Sequence, residues 1–351
     1  MKKSVSILIL AGAAATVFVA LGHAQSPAAP AAAWVPPPAW AYGFTTPVPP
    51  GPPPPPAAPG GRGRGGAAPA PDETLRTVPG SELKFTRAQI GNAFGPADWF
   101  PNDHPKMPEI VASGRMPDAR ACSLCHYPNG KGRPENASPA GLPEVYIEQQ
   151  LRDFKNDKRV TADYRKNNTA VMTTIAKAMT DDEIKAAAAY FTQIKFDKPW
   201  ITVKEADMVP KTRVAGGMFL ALDEPGTEPI GNRIIEVPEN TEATEILRNP
   251  RSGFIAYVPT GSLKKGLQLV MSGANGKTTQ CTVCHGDELK GIGPVPGIAG
   301  KSPSYLVRQL WDMKTGSRHG AWIDLMKPVA DKLTEDDMLN IAAYAASRPP
   351  Q

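Results

Sequence analysis

Apolar residues recur at three- and four-residue spacing over 146–155 and again over 305–314, which predicts two amphipathic helices, each packing one face inward. Thr180-Asp181-Asp182-Glu183 reads as a capping box that opens an apolar-faced helix running through Ile194. Thr334-Glu335-Asp336-Asp337 opens a counterpart with a similar acidic first turn. Short helices are predicted over 108–113 and 263–272. Over 197–261 the helical period disappears. Gly216-Gly217 and Asp223-Glu224-Pro225-Gly226 mark turns, 233–237 is strand-like, and the stretch is expected to be a mostly irregular connector packed between two helical units.

The N-terminal pattern is of another kind. Lys2 and Lys3 precede an apolar run from Val5 to Leu21 that closes on Gly22-His23-Ala24, so residues 1–24 read as a secretory signal peptide. An uncleaved membrane anchor is the alternative, because the run is near the short limit for a span. Residues 25–75 turn to Pro, Ala and Gly, with Pro52 to Pro56 in a row, and are expected to form a disordered linker. At about 3.1 Å per residue, such a tether would reach roughly 140 Å. Trp34, Trp40, Tyr42 and Phe44 are unusual in a spacer and are candidates for docking onto a folded surface or a partner.

Sliding the chain against itself reveals an internal repeat. Val111 to Arg159 aligns without a gap on Val270 to Arg318, a shift of 159, with Gly114/Gly273, Gly132/Gly291, Tyr146/Tyr305, Gln150/Gln309 and Asp153/Asp312 among the identities. A second block matches at a shift of 154 and includes Met172/Met326, Asp182/Asp336 and Tyr190/Tyr344. The expected architecture is therefore all-α with two copies of one domain, 76–196 and 262–351, joined by the 197–261 insert.

Composition narrows the function. The chain has 351 residues, a net charge of +5 and 41% hydrophobic residues, and it lacks the repeated apolar runs of a polytopic membrane protein. Lys and Arg are interleaved with acids instead of forming a stripe, so nucleic acid is not an expected partner. All four cysteines lie in two copies of C-x-x-C-H: Cys122, Cys125 and His126, then Cys281, Cys284 and His285. An exported chain whose only cysteines repeat this arrangement uses them for something other than disulfides. Covalent haem attachment fits, since two sulfurs on one helical turn reach both vinyl groups of a porphyrin while the adjacent imidazole faces the iron. A redox dithiol and a structural zinc site are the competing readings. Convincing strands around a thioredoxin-like unit are missing, and the two pairs sit in separate repeats.

A closed iron needs a sixth ligand, and each repeat offers a Met at the same place. Met172 lies 46 residues after His126 and Met326 lies 41 after His285, each eight positions before the Thr that opens the last helix. Met179 aligns with Leu333, as a core position does. His104 and His319 lack repeat counterparts and are expected at the surface.

These repeats resemble class I c-type cytochromes, particularly the two-domain cytochrome c4 type. Pro296-Gly297-Ile298-Ala299-Gly300, followed by Tyr305 to Leu310, is similar to the family's P-x-L-x-G segment. The resemblance implies two covalently bound haem c groups and a bond from His285 to the Pro296 carbonyl; the first copy has Ala137 there. It also implies an electron carrier of the periplasm, working between redox partners such as a donor dehydrogenase or respiratory complex and an oxidase. A cytochrome subunit of a dehydrogenase, a peroxidase-like dihaem enzyme and a haem sensor are the alternatives. Tyr305, Arg308 and Trp311 are candidates for contacts to haem propionates.

Overall fold

The computed structural model describes residues 35–51 and 72–350; the expected signal peptide or anchor lies outside them. No described helix is long and apolar enough to cross a membrane. A short helix α1 (Arg87–Ile90) precedes the first repeat, which is built from α2 (Glu109–Ala112), a two-stranded ladder of β1 (Gly114–Arg115) and β2 (Ala119–Arg120), α3 (Cys122–His126), α4 (Glu144–Lys155), α5 (Asn167–Ala178) and α6 (Asp181–Gln193). After the insert, α8 (Ser262–Gly276), α9 (Thr282–His285), α10 (Pro303–Lys314), α11 (Ile323–Asp331) and α12 (Glu335–Ala346) form the second. Both predicted capping boxes are present: Thr180 and Thr334 accept from the backbones of Glu183 and Asp337, whose carboxylates reach back to the caps.

Each repeat packs its helices around its own apolar core. Ile147, Ile175, Ile184, Ala187 and Phe191 belong to the first, and Leu269, Val307, Leu339 and Ala343 to the second. In the second, α8 crosses α12 at close range, because a Cβ on Gly266 would stand 2.1 Å from the carbonyl oxygen of Asn340. Only glycine admits that approach.

The insert departs from the irregular connector expected of it. Its centre is a three-stranded sheet in which β9 (Phe254–Val258) pairs in parallel with β3 (Ile201–Glu205) and antiparallel with β8 (Ile235–Pro238). Strands β4 (Met208–Pro210) and β7 (Thr227–Pro229) pair beside it, as do β5 (Thr212–Ala215) and β6 (Met218–Ala221), with the short helix α7 (Thr241–Glu245) before β9. Alternate residues of β9 are buried, and the strand serves both halves of the molecule: Phe254 and Ala256 join the first repeat's core, Val258 the second's. The physical reason is burial: Phe254 and Ala256 on one face pack into the first repeat's core, while Ile255 and Tyr257 on the opposite face pack against the second's.

The expected disordered linker also needs correction where it is described. Residues 36–48 form a strap with a 3₁₀ turn at Ala39–Tyr42, and Trp40, Ala41 and Tyr42 are buried in the second repeat's core. The Tyr42 hydroxyl donates to Asp312 Oδ1 at 2.7 Å, Arg308 donates to the Ala41 carbonyl, and Arg165 stacks 4.1 Å from the Phe44 ring centre. Burial and the neighbouring Asp312 raise the Tyr42 phenol well above its ordinary pKa, so the hydroxyl keeps its proton for this bond. Three aromatic anchors outweigh the Pro-rich composition.

Candidate functional site

In the first repeat, the single turn of α3 carries Cys122, Cys125 and His126 to the wall of a cavity that is partly open to solvent. Met172 from α5, Met179 at the end of that helix and Phe191 from α6 line the same cavity. The remaining wall is mainly apolar, with Ile147, Leu151 and Ile175 among its members. The structure thus brings the four predicted first-repeat residues to one space.

The imidazole is fixed by its backbone surroundings. His126 Nδ1 lies 2.8 Å from the carbonyl oxygen of Ala137. A carbonyl only accepts, so Nδ1 carries the proton and the Nε2 lone pair is left to bind a metal. Burial depresses the His126 pKa, against the opposing pull of that bond, and keeps the ring neutral. The second repeat repeats the device: His285 Nδ1 lies 2.8 Å from the Pro296 carbonyl, and burial again lowers the imidazole pKa. Ala137 therefore does the work of the proline in the other copy.

The repeated Gly132 and Gly291 follow from the same geometry. Gly132 has φ +65°, its N–H donates to the His126 carbonyl at 2.9 Å, and a Cβ there would stand 2.5 Å from the Ala137 oxygen. Gly132→Ala is thus expected to displace the carbonyl that orients His126 and to lower stability by about 2 kcal/mol, combining left-handed strain with the clash. Denaturant unfolding checks this; an unchanged midpoint would mean that the loop yields without disturbing the histidine.

The thiols suit attachment better than exchange. All four are free, and burial pushes Cys122 up to about 12 and Cys281 up to about 11, opposite to the lowered values of reactive redox dithiols. Among the described residues no three His, Cys, Asp or Glu side chains gather to hold a bare metal ion.

The second repeat is less assembled. Cys281 packs against its core, His285 is buried and Cys284 is exposed. Met326, in α11, belongs to a separate small cluster with Met313, Ile323 and Ala330.

Where the first cavity faces the other repeat, Arg159 and Arg318, which the sequence did not single out, join the repeated Tyr146, Gln150, Tyr305 and Gln309. Arg159 lines the cavity and donates to Gln150 Oε1 at 3.0 Å in its own repeat, and to Tyr305 Oη and Gln309 Oε1 at 2.9 Å in the other. Arg318 mirrors it, donating to Gln309 Oε1 at 2.9 Å, Tyr146 Oη at 3.0 Å and Gln150 Oε1 at 2.7 Å. Both guanidiniums are buried, neither forms an ion pair among the described residues, and Arg318 Nε has no partner. Paired cations of this kind, beside a mainly apolar cavity, fit the two anionic arms of a porphyrin. Together with two thiols, a neutral imidazole and a thioether at that cavity, they make the residues present a match for haem.

The comparisons with known proteins bear on the same residues. The cytochrome c family model matches residues 114–195. Cytochrome c-554(548) of Halomonas halodenitrificans is 36% identical over 73 residues, which span 20% of this chain and 88% of that protein. The chain belongs to the cytochrome c family. A thiosulfate dehydrogenase electron acceptor from Thiomonas intermedia is 28% identical over 236 residues, covering 66% of this cytochrome and 81% of the relative. A cytochrome c4 from Thiocapsa roseopersicina is 37% identical over 70 residues, 20% of this chain and 34% of that one. Among solved structures, the cytochrome c4 of Acidithiobacillus ferrooxidans superposes with a TM-score of 0.41 at 22% identity, over 64% of this chain and 97% of that one. This protein is a c4-like dihaem cytochrome with two covalently bound haem c groups, and an electron carrier rather than an enzyme.

Within that frame, the three propionate candidates separate. Tyr305 of the second repeat lines the cavity of the first. Arg308 is directed elsewhere, donating to the Ala41 and Pro134 carbonyls, and Trp311 is a core residue. His319 is exposed as expected. His104 is not: its side chain is 4% exposed, with Nε2 3.1 Å from Asp98 Oδ2 and Nδ1 2.9 Å from the Pro105 carbonyl. The Asp98 carboxylate gives the ring an interior partner, which explains its place inside.

Proposed function

We propose that this cytochrome works in the periplasm, passing single electrons from a dehydrogenase to an acceptor such as an oxidase. In this reading Cys122 and Cys125 hold one haem and Cys281 and Cys284 the other, with His126 and Met172, then His285 and Met326, as iron ligands. The observation that carries it is the first cavity, where two thiols, a carbonyl-oriented imidazole and a thioether share apolar walls. Each haem, when bound, supplies one reversible ferrous–ferric couple. The chain's own residues do the rest. The Ala137 and Pro296 carbonyls hold each histidine's proton on Nδ1, and apolar side chains line the first cavity. Arg159 and Arg318 place positive charge between the repeats, where propionates would lie.

For the donor, the similarity to thiosulfate dehydrogenase electron acceptors of Thiomonas intermedia and Stutzerimonas stutzeri supports a dehydrogenase that oxidises a sulfur oxyanion. Mass spectrometry of the mature protein is expected to show two added haem masses, and the ferrous protein is expected not to bind carbon monoxide. A polypeptide without added tetrapyrrole mass rejects the sites. Stopped-flow mixing with a reduced thiosulfate dehydrogenase tests the donor, and failure of either haem to become reduced rejects that partner.

A further inference from the structure

The two haem sites are built from matched residues, but their surroundings differ in charge. At the first site the insert brings Arg248 over the ring of Tyr127, 5.8 Å from its centre, directly after the C-x-x-C-H motif. The loop carrying it is pinned on both sides, by Trp99 Nε1 to the Leu247 carbonyl at 2.7 Å and by Asn129 Nδ2 to the Pro250 carbonyl at 2.8 Å. Arg248 Nη2 is buried without a hydrogen-bond partner. Next to it, Arg133 and Glu135 form a 2.7 Å ion pair whose side chains are 13% and 1% exposed. Taken together these three residues leave one uncompensated positive charge beside Tyr127, the residue that follows His126.

None of this recurs at the second site. The repeat positions of Tyr127, Arg133 and Glu135 are occupied by Gly286, Ile292 and Pro294, and Arg248 belongs to the insert, which has no counterpart. Cys284 is exposed there and Ile292 is 54% exposed, so water also screens what charge is near. A fixed cation in a poorly screened interior stabilises the less positive of two redox states, and burial itself acts in the same direction.

We infer that Arg248 of the insert raises the reduction potential of the first haem above that of the second, so that an electron shared between them resides on the first and internal transfer runs from the second repeat to the first. Arg248 acts through the field at the thioether edge and is a positioning residue, not a ligand.

The inference rests on the reading that each repeat binds a haem, and one experiment separates the two. Spectroelectrochemical titration of the holoprotein is expected to resolve two couples; fewer than two overturns the underlying reading and the inference with it. The couple displaced by Met172→Ala belongs to the first haem and is expected to be the higher in the unaltered protein. Arg248→Gln is expected to lower that couple and leave the other in place, whereas Arg248→Lys keeps it near its original position. Glu135→Gln, which removes the opposing charge, is expected to raise the same couple. Opposite shifts from two neighbouring substitutions separate a field effect from loosened packing, which moves both variants the same way. A first-haem couple lying below the second, unmoved by Arg248→Gln, or moved in one direction by both substitutions, overturns the inference.

Discussion

Met172→Ala lowers the reduction potential of one haem and opens its ferrous iron to carbon monoxide, and Met326→Ala does the same to the other. Thioether ligation favours the ferrous state, and axial ligands as a class span roughly 0.8 V, so losing one is expected to displace the couple by a sizeable part of that range. The two variants are not equal in risk. Met172 lines the cavity beside His126, whereas Met326, in the Pro328-containing helix α11, packs against a separate cluster of Met313, Ile323 and Ala330. Met179→Leu is the control: that side chain is 2% exposed at the same cavity, its repeat counterpart is Leu333, and the potential is expected to stay in place. A carbon monoxide-insensitive Met172→Ala protein, or a large shift in Met179→Leu, reverses the assignment.

The second large effect concerns the joint between the repeats. Arg159→Ala and Arg318→Ala are each expected to cost about 2 kcal/mol, because charge-assisted bonds to the facing Tyr and Gln are lost from a buried place. The double variant is expected to exceed the sum of the two by on the order of 1 kcal/mol. Gln150 Oε1 and Gln309 Oε1 each accept from both arginines, so one substitution leaves each oxygen a donor and relieves repulsion between like charges. The second substitution strands both oxygens. Denaturant unfolding of the four proteins of this cycle measures it, and strict additivity would show that the two arginines act separately.

The helices and the haem motifs were legible because local rules specify them: capping boxes at Thr180 and Thr334, three-four periodicity over α4 and α10, and two C-x-x-C-H pentapeptides. The repeat also flagged Tyr146, Gln150, Tyr305 and Gln309, yet a single copy gives no reason for polar residues to be kept on a buried helix face. Their partners come from the opposite copy, and Arg159 and Arg318 lie at the last aligned position, where a pattern search stops. A signal was present: buried-face polar residues retained in both copies point to a contact between the copies. The strap was legible in part: Trp40, Tyr42 and Phe44 stand out among the prolines as docking candidates, but their seat is set by residues distant in sequence, Asp312 for Tyr42 and Glu335 for Trp40. The insert's β9 has the alternation of a half-buried strand at 254–258, but both neighbours of that strand are distant in sequence.

Because the strap at 36–48 is seated in the second repeat while the chain from residue 72 onward builds toward the first, the proline run between them is fastened at both ends to one body. A protease cutting within 52–71 would nick the polypeptide without shedding either fragment, and the severed N-terminal piece would elute with the rest until the protein is denatured.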